Sequence, residues 1–227
     1  LGDPRSDKGI RADAVSALQP EDLATAIRSG ALLAYFQPQI DLSTGAFVSC
    51  EALVRWNHPE WGMVFPDRFI SVAEQSGLMP ELTECVAQQA LKHCATLANA
   101  GFPIRCSINV SAISLADIQF PDRLLDLLVA ANVPPNSVIV EVTESRLFED
   151  STNAVDVLNR LRMKGIELSI DDFGTGYSSL RQLKLIPFNE LKIDKEFVMT
   201  CETNQESESI VRTSIELARR LALRTVA

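Results

Sequence analysis

Ser169-Ile170-Asp171-Asp172-Phe173-Gly174-Thr175-Gly176-Tyr177-Ser178-Ser179-Leu180 is the stretch from which the fold can be read. Two adjacent carboxylates end an apolar run, and a loop with Gly174 and Gly176 follows at once. Like charges at the mouth of a core repel one another. A divalent cation removes that penalty, because hard carboxylate oxygens are the natural ligands of Mg²⁺, Mn²⁺ or Ca²⁺. Taken alone, the pair also fits a solvated turn, since Asp and Gly are common turn formers. The neighbouring segments decide between the two.

Outward from this stretch, strand-like and helix-like segments alternate. Strands are expected at 33–40, 47–56, 104–110, 138–143, 167–171, 190–193 and 223–227. Helices are expected at 20–29, 66–75, 82–100, 121–131, 151–164, 178–185 and 206–221. The first two strands are joined by Ser43-Thr44-Gly45, which reads as a hairpin. Gly77, Gly101 and Gly165 close three of the helices in the manner of a C-terminal glycine. Strands separated by helices pair in parallel. Seven strand candidates, with no Gly-x-Gly-x-x-Gly after the first, favour a TIM-like (β/α) barrel over a doubly wound sheet.

A barrel strand alternates between helix-covered and interior faces. In 47–56, Cys50, Ala52, Val54 and Trp56 form the apolar parity, which turns Ser49, Glu51, Leu53 and Arg55 inward. The same division sends Ser107 and Asn109, Glu141 and Thr143, Ser169 and Asp171, and Glu190, Lys192 and Asp194 to the interior. Five successive strands therefore aim polar groups at one space. Burying an isolated charge costs several kcal/mol unless it is paired or bound to metal. Interior salt bridges from Arg55 or Lys192 are one solution. The carboxylates of Glu51, Glu141, Asp171 and Asp172, with the Asn109 amide, exceed what those two cations neutralise. One or two metal ions are expected at the C-terminal rim, where barrel enzymes keep their chemistry.

Composition narrows the partners. The chain has 227 residues, 46% of them hydrophobic and 22% charged, with a net charge of −9. That balance suits a soluble, cytoplasmic domain and argues against nucleic-acid duplexes or an anionic membrane as partners. There is no signal-peptide pattern and no apolar run of the ~20 residues that span a bilayer. Cys50, Cys85, Cys94, Cys106 and Cys201 lack Cys-x-x-Cys spacing and read as reduced thiols. His58 and His93 lack metal-pair spacing and read as structural or surface groups.

These same residues resemble those of the EAL domain family, the cyclic di-GMP phosphodiesterases. The name-giving motif stands as Glu51-Ala52-Leu53 within Glu-Ala-Leu-Val-Arg-Trp-Asn-His-Pro. Tyr35-Phe36-Gln37-Pro38, Ser107-Ile108-Asn109-Val110-Ser111, Glu141-Val142-Thr143-Glu144-Ser145, residues 171–180 and Leu191-Lys192-Ile193-Asp194 follow the family's order. The likeness implies metal ligation by Glu51, Asn109, Glu141 and Asp171, with Asp172 reaching a second ion. It implies Mg²⁺ or Mn²⁺ as cofactor and Lys192 as the group that polarises the attacking water, with Glu51 and Asp171 beside it in catalysis. Gln37, Leu53, Arg55 and Asp194 would contact cyclic di-GMP, Arg55 through a phosphate oxygen. Glu144 would anchor the loop after Asp172, which in this family couples metal binding to dimerisation. A homodimer is expected on that ground.

Residues 1–19 read as a linker from an upstream domain, and 20–227 as the barrel. The opening resembles the output half of a response regulator or of a larger sensor protein. The resemblance places a further Glu one residue beyond 225–227, in a Glu-Gly-Val-Glu motif, and an eighth strand with its Gln later still. The expectation is a barrel lacking its last strand and helix. The function implied is metal-dependent hydrolysis of cyclic di-GMP to the linear pGpG. A non-catalytic cyclic di-GMP receptor is the alternative, and another metal-assisted barrel hydrolase or lyase is a third.

Overall fold

Strands β1 (Leu32–Ile40) and β2 (Phe47–His58) form the expected antiparallel hairpin, with Gln37 opposite Glu51. Asp41 builds the turn, its carboxylate accepting from the backbone N–H groups and hydroxyls of Ser43 and Thr44. Such side-chain mimicry of a turn is why Asp is favoured there. The short β3 (Gly62–Val64) folds back antiparallel on the end of β2, with Trp56 opposite Val64. Every later strand runs parallel to β2: β4 (Arg105–Asn109), β5 (Val138–Thr143), β6 (Glu167–Phe173), β7 (Glu190–Ile193) and β8 (Arg224–Val226). The sheet order is β1-β2-β4-β5-β6-β7-β8, with β3 attached to β2 alone. The computed structural model describes residues 18–144, 152–175, 183 and 185–227. Its sheet has the curved, helix-backed organisation of an incomplete TIM-like barrel.

The helices are α1 (Pro20–Ser29), α2 (Ile70–Ser76), α3 (Met79–Asn99), α4 (Ala112–Ala116), α5 (Phe120–Ala131), α6 (Thr152–Met163), α7 (Lys195–Thr200) and α8 (Gln205–Arg220). Their apolar faces cover the outward parity of the strands. Cys50, Ala52, Trp56, Cys106, Ile108, Val140, Val142, Leu168, Ile170 and Leu191 are each at most 2% exposed and pack with Leu91, Leu124, Leu158 and Leu161. Each Val, Leu or Ile among them stabilises the fold by about 1.5–3 kcal/mol relative to leaving it in water. This burial fixes the register, because a slip of one residue would turn the interior acids under the helices.

Two devices hold the margins. Gln89 on α3 accepts from the Ala34 backbone N–H at 2.9 Å and donates to the Leu32 carbonyl at 2.9 Å, covering the free edge of β1. Open strand edges otherwise invite pairing with other chains. At the N-terminal ends of the strands, Glu167 binds Arg105 at 3.2 Å and also binds Arg224, which reaches Glu190 at 3.3 Å. These pairs tie β4, β6, β7 and β8 across the barrel floor.

The structure refines several sequence expectations. The helix expected over 66–75 divides into a 3₁₀ turn, Pro66–Arg68, and α2, because Phe69 at φ −126° interrupts the helical path. Helix α3 begins at Met79, earlier than expected, with Pro80 suited to its first turn. No sequence expectation covers β3, α4 or α7, which are 3, 5 and 6 residues long and too short to carry a hydrophobic period. The expected helix at 178–185 lies outside the described residues apart from Leu183 and Leu185. His58 stacks on Trp61 at 4.0 Å and His93 on Phe36 at 3.8 Å, so both act as structural rings. All five cysteines are free thiols.

Candidate metal centre

Glu51 on β2, Asn109 at the end of β4, Glu141 on β5, Asp171 on β6 and Lys192 on β7 meet inside the rim. The register places Asn109 beside Glu141 and Thr143 beside Asp171. Oxygens of Glu51, Glu141 and Asp171 all lie within 4.8 Å of one another. Lys192 Nζ sits among them, 2.9 Å from Glu51 Oε2, 2.7 Å from Glu141 Oε2 and 3.2 Å from Asp171 Oδ1. The Asn109 amide donates to Glu51 Oε1 at 2.9 Å.

Charge does not balance here. Three carboxylates face one ammonium, and Glu141 has no exposed surface. Burial pushes Glu141 up to about 8; Lys192 pulls it back, and the charges of Glu51 and Asp171 push it further. Burial alone would depress Lys192, but Glu141, Asp171 and Glu51 outweigh it and raise the ammonium above its ordinary value. Glu141 Oε1 is buried and has no hydrogen-bond partner among the described residues. Excess negative charge, hard oxygen donors and a buried oxygen with no donor together fit a small divalent cation. Lys192 offsets part of that charge in the structure, which is the interior salt bridge foreseen for it.

Asp171 and Asp172 diverge although they are adjacent. The β6–β7 register shifts between Ile170 and Phe173, and Asp172 takes a left-handed φ of 54°. Such irregularities re-aim side chains beside active sites. Asp171 joins the cluster while Asp172 meets Asp194. Burial, then the charges of Asp171 and Asp194, raise Asp172 to about 6. Asp194 also caps α7, accepting from the Glu196 N–H at 2.7 Å. Asp172 thus stands outside the acid trio, beside Asp194. Glu144, 1% exposed, accepts from the Gly174 N–H at 2.9 Å and holds the start of the loop after β6.

Of the residues expected to contact ligand, Gln37 and Leu53 adjoin this centre. Gln37 is exposed opposite Glu51. Leu53 lines a cavity of about 290 Å³ together with Pro66, Ile70, Met79, Leu82, Asn109 and Glu141. Arg55 donates to the Val54 carbonyl at 2.8 Å, and its guanidinium lies 5.0 Å from the centre of the Phe65 ring. Sequence reasoning missed the far wall of this cavity, contributed by 66–86. Most of those residues read only as helix, and nothing local marks which apolar side chains face an opening.

An EAL domain family model matches residues 20–227. The chain belongs to the EAL domain family. It is 37% identical over 208 residues to the cyclic di-GMP phosphodiesterase NbdA of Pseudomonas aeruginosa, covering 91% of this chain and 27% of that protein. It is 34% identical over 205 residues to the cyclic di-GMP phosphodiesterase RocR of the same organism, covering 90% of this chain and 52% of that protein. This EAL domain therefore spans about a quarter to a half of the length of those relatives. Among solved structures it resembles the PaMucR phosphodiesterase in complex with c-di-GMP, with a TM-score of 0.86, 33% identity and coverage of 90% of this chain and 83% of that one.

Proposed function

We propose that this EAL domain hydrolyses cyclic di-GMP to linear pGpG with the help of Mg²⁺ or Mn²⁺. The observation that carries the proposal is the trio of Glu51, Glu141 and Asp171 oxygens within 4.8 Å of one another around Lys192. The phosphodiesterase relatives support the substrate.

Glu51, Asn109, Glu141 and Asp171 would hold the first ion, and Asp172 would reach a second. Cations there would supply Lewis-acid stabilisation of phosphoryl oxygens and water made acidic enough to attack near neutral pH. Lys192 orients that water and offsets charge growing on the phosphoryl oxygens. The water oxygen bonds to phosphorus, one ring P–O bond breaks, and the departing ribose oxygen takes up a proton. The carboxylates receive the proton lost by the water. Gln37, Leu53 and Asp194 position the dinucleotide, and Arg55 binds a phosphate oxygen. Glu144 steadies the loop through Gly174, and the working unit is a homodimer.

The test is product analysis in the full-length protein with Mg²⁺ or Mn²⁺. Linear product forms in the parent, and Lys192→Ala lowers kcat by about 10²-fold or more, the scale of a lost electrostatic donor. Unchanged turnover in that variant removes the assigned role, and tight binding with no turnover in the parent favours a receptor instead.

A further inference from the structure

Arg55 has an unusual setting for a cation in a chain of net charge −9. Among the described residues no carboxylate pairs with it. Its neighbours are apolar. On one side β1 places Leu33 opposite it. On the other, β2 and β3 pair Trp56 with Val64, so the next residues along, Arg55 and Phe65, face each other across the hairpin. The guanidinium carbon lies 5.0 Å from the Phe65 ring centre, within the range of a cation–π contact. One terminal nitrogen is held by the Val54 carbonyl at 2.8 Å.

The hairpin that presents Phe65 is itself braced. His58 Nδ1 accepts from the backbone N–H groups of Glu60 and Trp61 at 3.2 and 3.3 Å, and its ring stacks on Trp61. Phe65 then leads into the 3₁₀ turn at Pro66–Arg68, and Pro66 lines the cavity beside the acids. Phe65 is 53% exposed, too open to act as core packing.

We infer that Phe65 is a positioning residue, whose ring holds the Arg55 guanidinium at the mouth of the site ready for a phosphate oxygen of the dinucleotide. The inference rests on the phosphodiesterase reading above. A flat guanidinium keeps several N–H donors in a fixed fork. Anchoring it against a ring and one carbonyl restricts its rotamers before ligand arrives, which lowers the ordering cost of binding. The ring meets the side chain of Arg55, not the reacting phosphorus, so its effect belongs in KM.

Steady-state hydrolysis of cyclic di-GMP by the full-length protein tests this. Phe65→Ala raises KM by about 2–5-fold with kcat within twofold, the range set by an exposed cation–π contact. Phe65→Leu behaves like Phe65→Ala, because it restores apolar bulk without a π face. Phe65→Trp stays within twofold of the parent. Melting temperatures identify any variant that fails to fold; if Phe65→Ala is one, Phe65→Leu against Phe65→Trp decides. Phe65→Leu matching the parent, or a loss in kcat instead of KM, overturns the inference. If the parent works, Arg55→Ala weakens binding and all Phe65 variants equal the parent, this inference alone fails. A parent that neither binds nor cleaves the dinucleotide overturns both readings.

Discussion

Glu141 is the residue on which the centre turns. It is wholly buried, it touches Lys192, and its ordinary acidity is lost to burial. A carboxyl raised to about 8 in the fold from 4.5 binds more protons folded than unfolded between those values. Its contribution to stability is therefore full below about 4.5 and lost as pH rises through about 8. Glu141→Gln keeps the shape and removes the titration. In the metal-free protein, thermal melts across this interval should flatten for Glu141→Gln relative to the parent. The same variant should lose Mn²⁺-dependent hydrolysis by 10²-fold or more, since an amide oxygen is a poorer partner for a hard cation. A pH slope unaltered by the substitution would locate the shifted proton elsewhere.

At the scale of elements, two contacts carry separable loads. Gly174 stands at φ 104°, and a Cβ there would come 3.0 Å from Ile210 Cγ2 and 3.1 Å from Phe197 Cε2. Gly174→Ala should cost roughly 1–3 kcal/mol. It should also disturb the Glu144 bond to the loop, seen as a fall in activity larger than the fall in melting temperature explains. Gln89 is the second case. Gln89→Ala leaves the Ala34 N–H and the Leu32 carbonyl of β1 without the amide. Denaturant unfolding should show a loss of about 1–3 kcal/mol, and hydrogen exchange should quicken at Ala34 before the parallel strands.

For the whole molecule, a cation that binds only the folded barrel stabilises it by mass action. A hundredfold excess over Kd is worth about 2.7 kcal/mol. For a chain of this size that is a rise of roughly 5–10 °C in Tm. Adding Mn²⁺ should produce this rise in the parent, and Glu141→Gln should abolish it. The barrel and its acids were legible because two periods coincide: outward Cys50, Ala52 and Ile108 are apolar, while inward Glu51, Asn109 and Asp171 are polar. What stayed hidden was geometry that alternation cannot encode. The bulge that separates Asp172 from Asp171 breaks the period of two. The contact of Arg55 with Phe65 depends on β3, whose three residues leave no pattern. The pairing of Asp172 with Asp194 joins segments that only the fold makes neighbours.

The chain has two tryptophans. Both, Trp56 and Trp61, belong to the braced segment bearing Arg55, and they flank His58 at ring distances of 5.1 and 4.0 Å. The indole emission of residues 1–227 thus arises from the segment that bears Arg55. Ligand docking against that segment should therefore shift the intrinsic fluorescence without any attached dye.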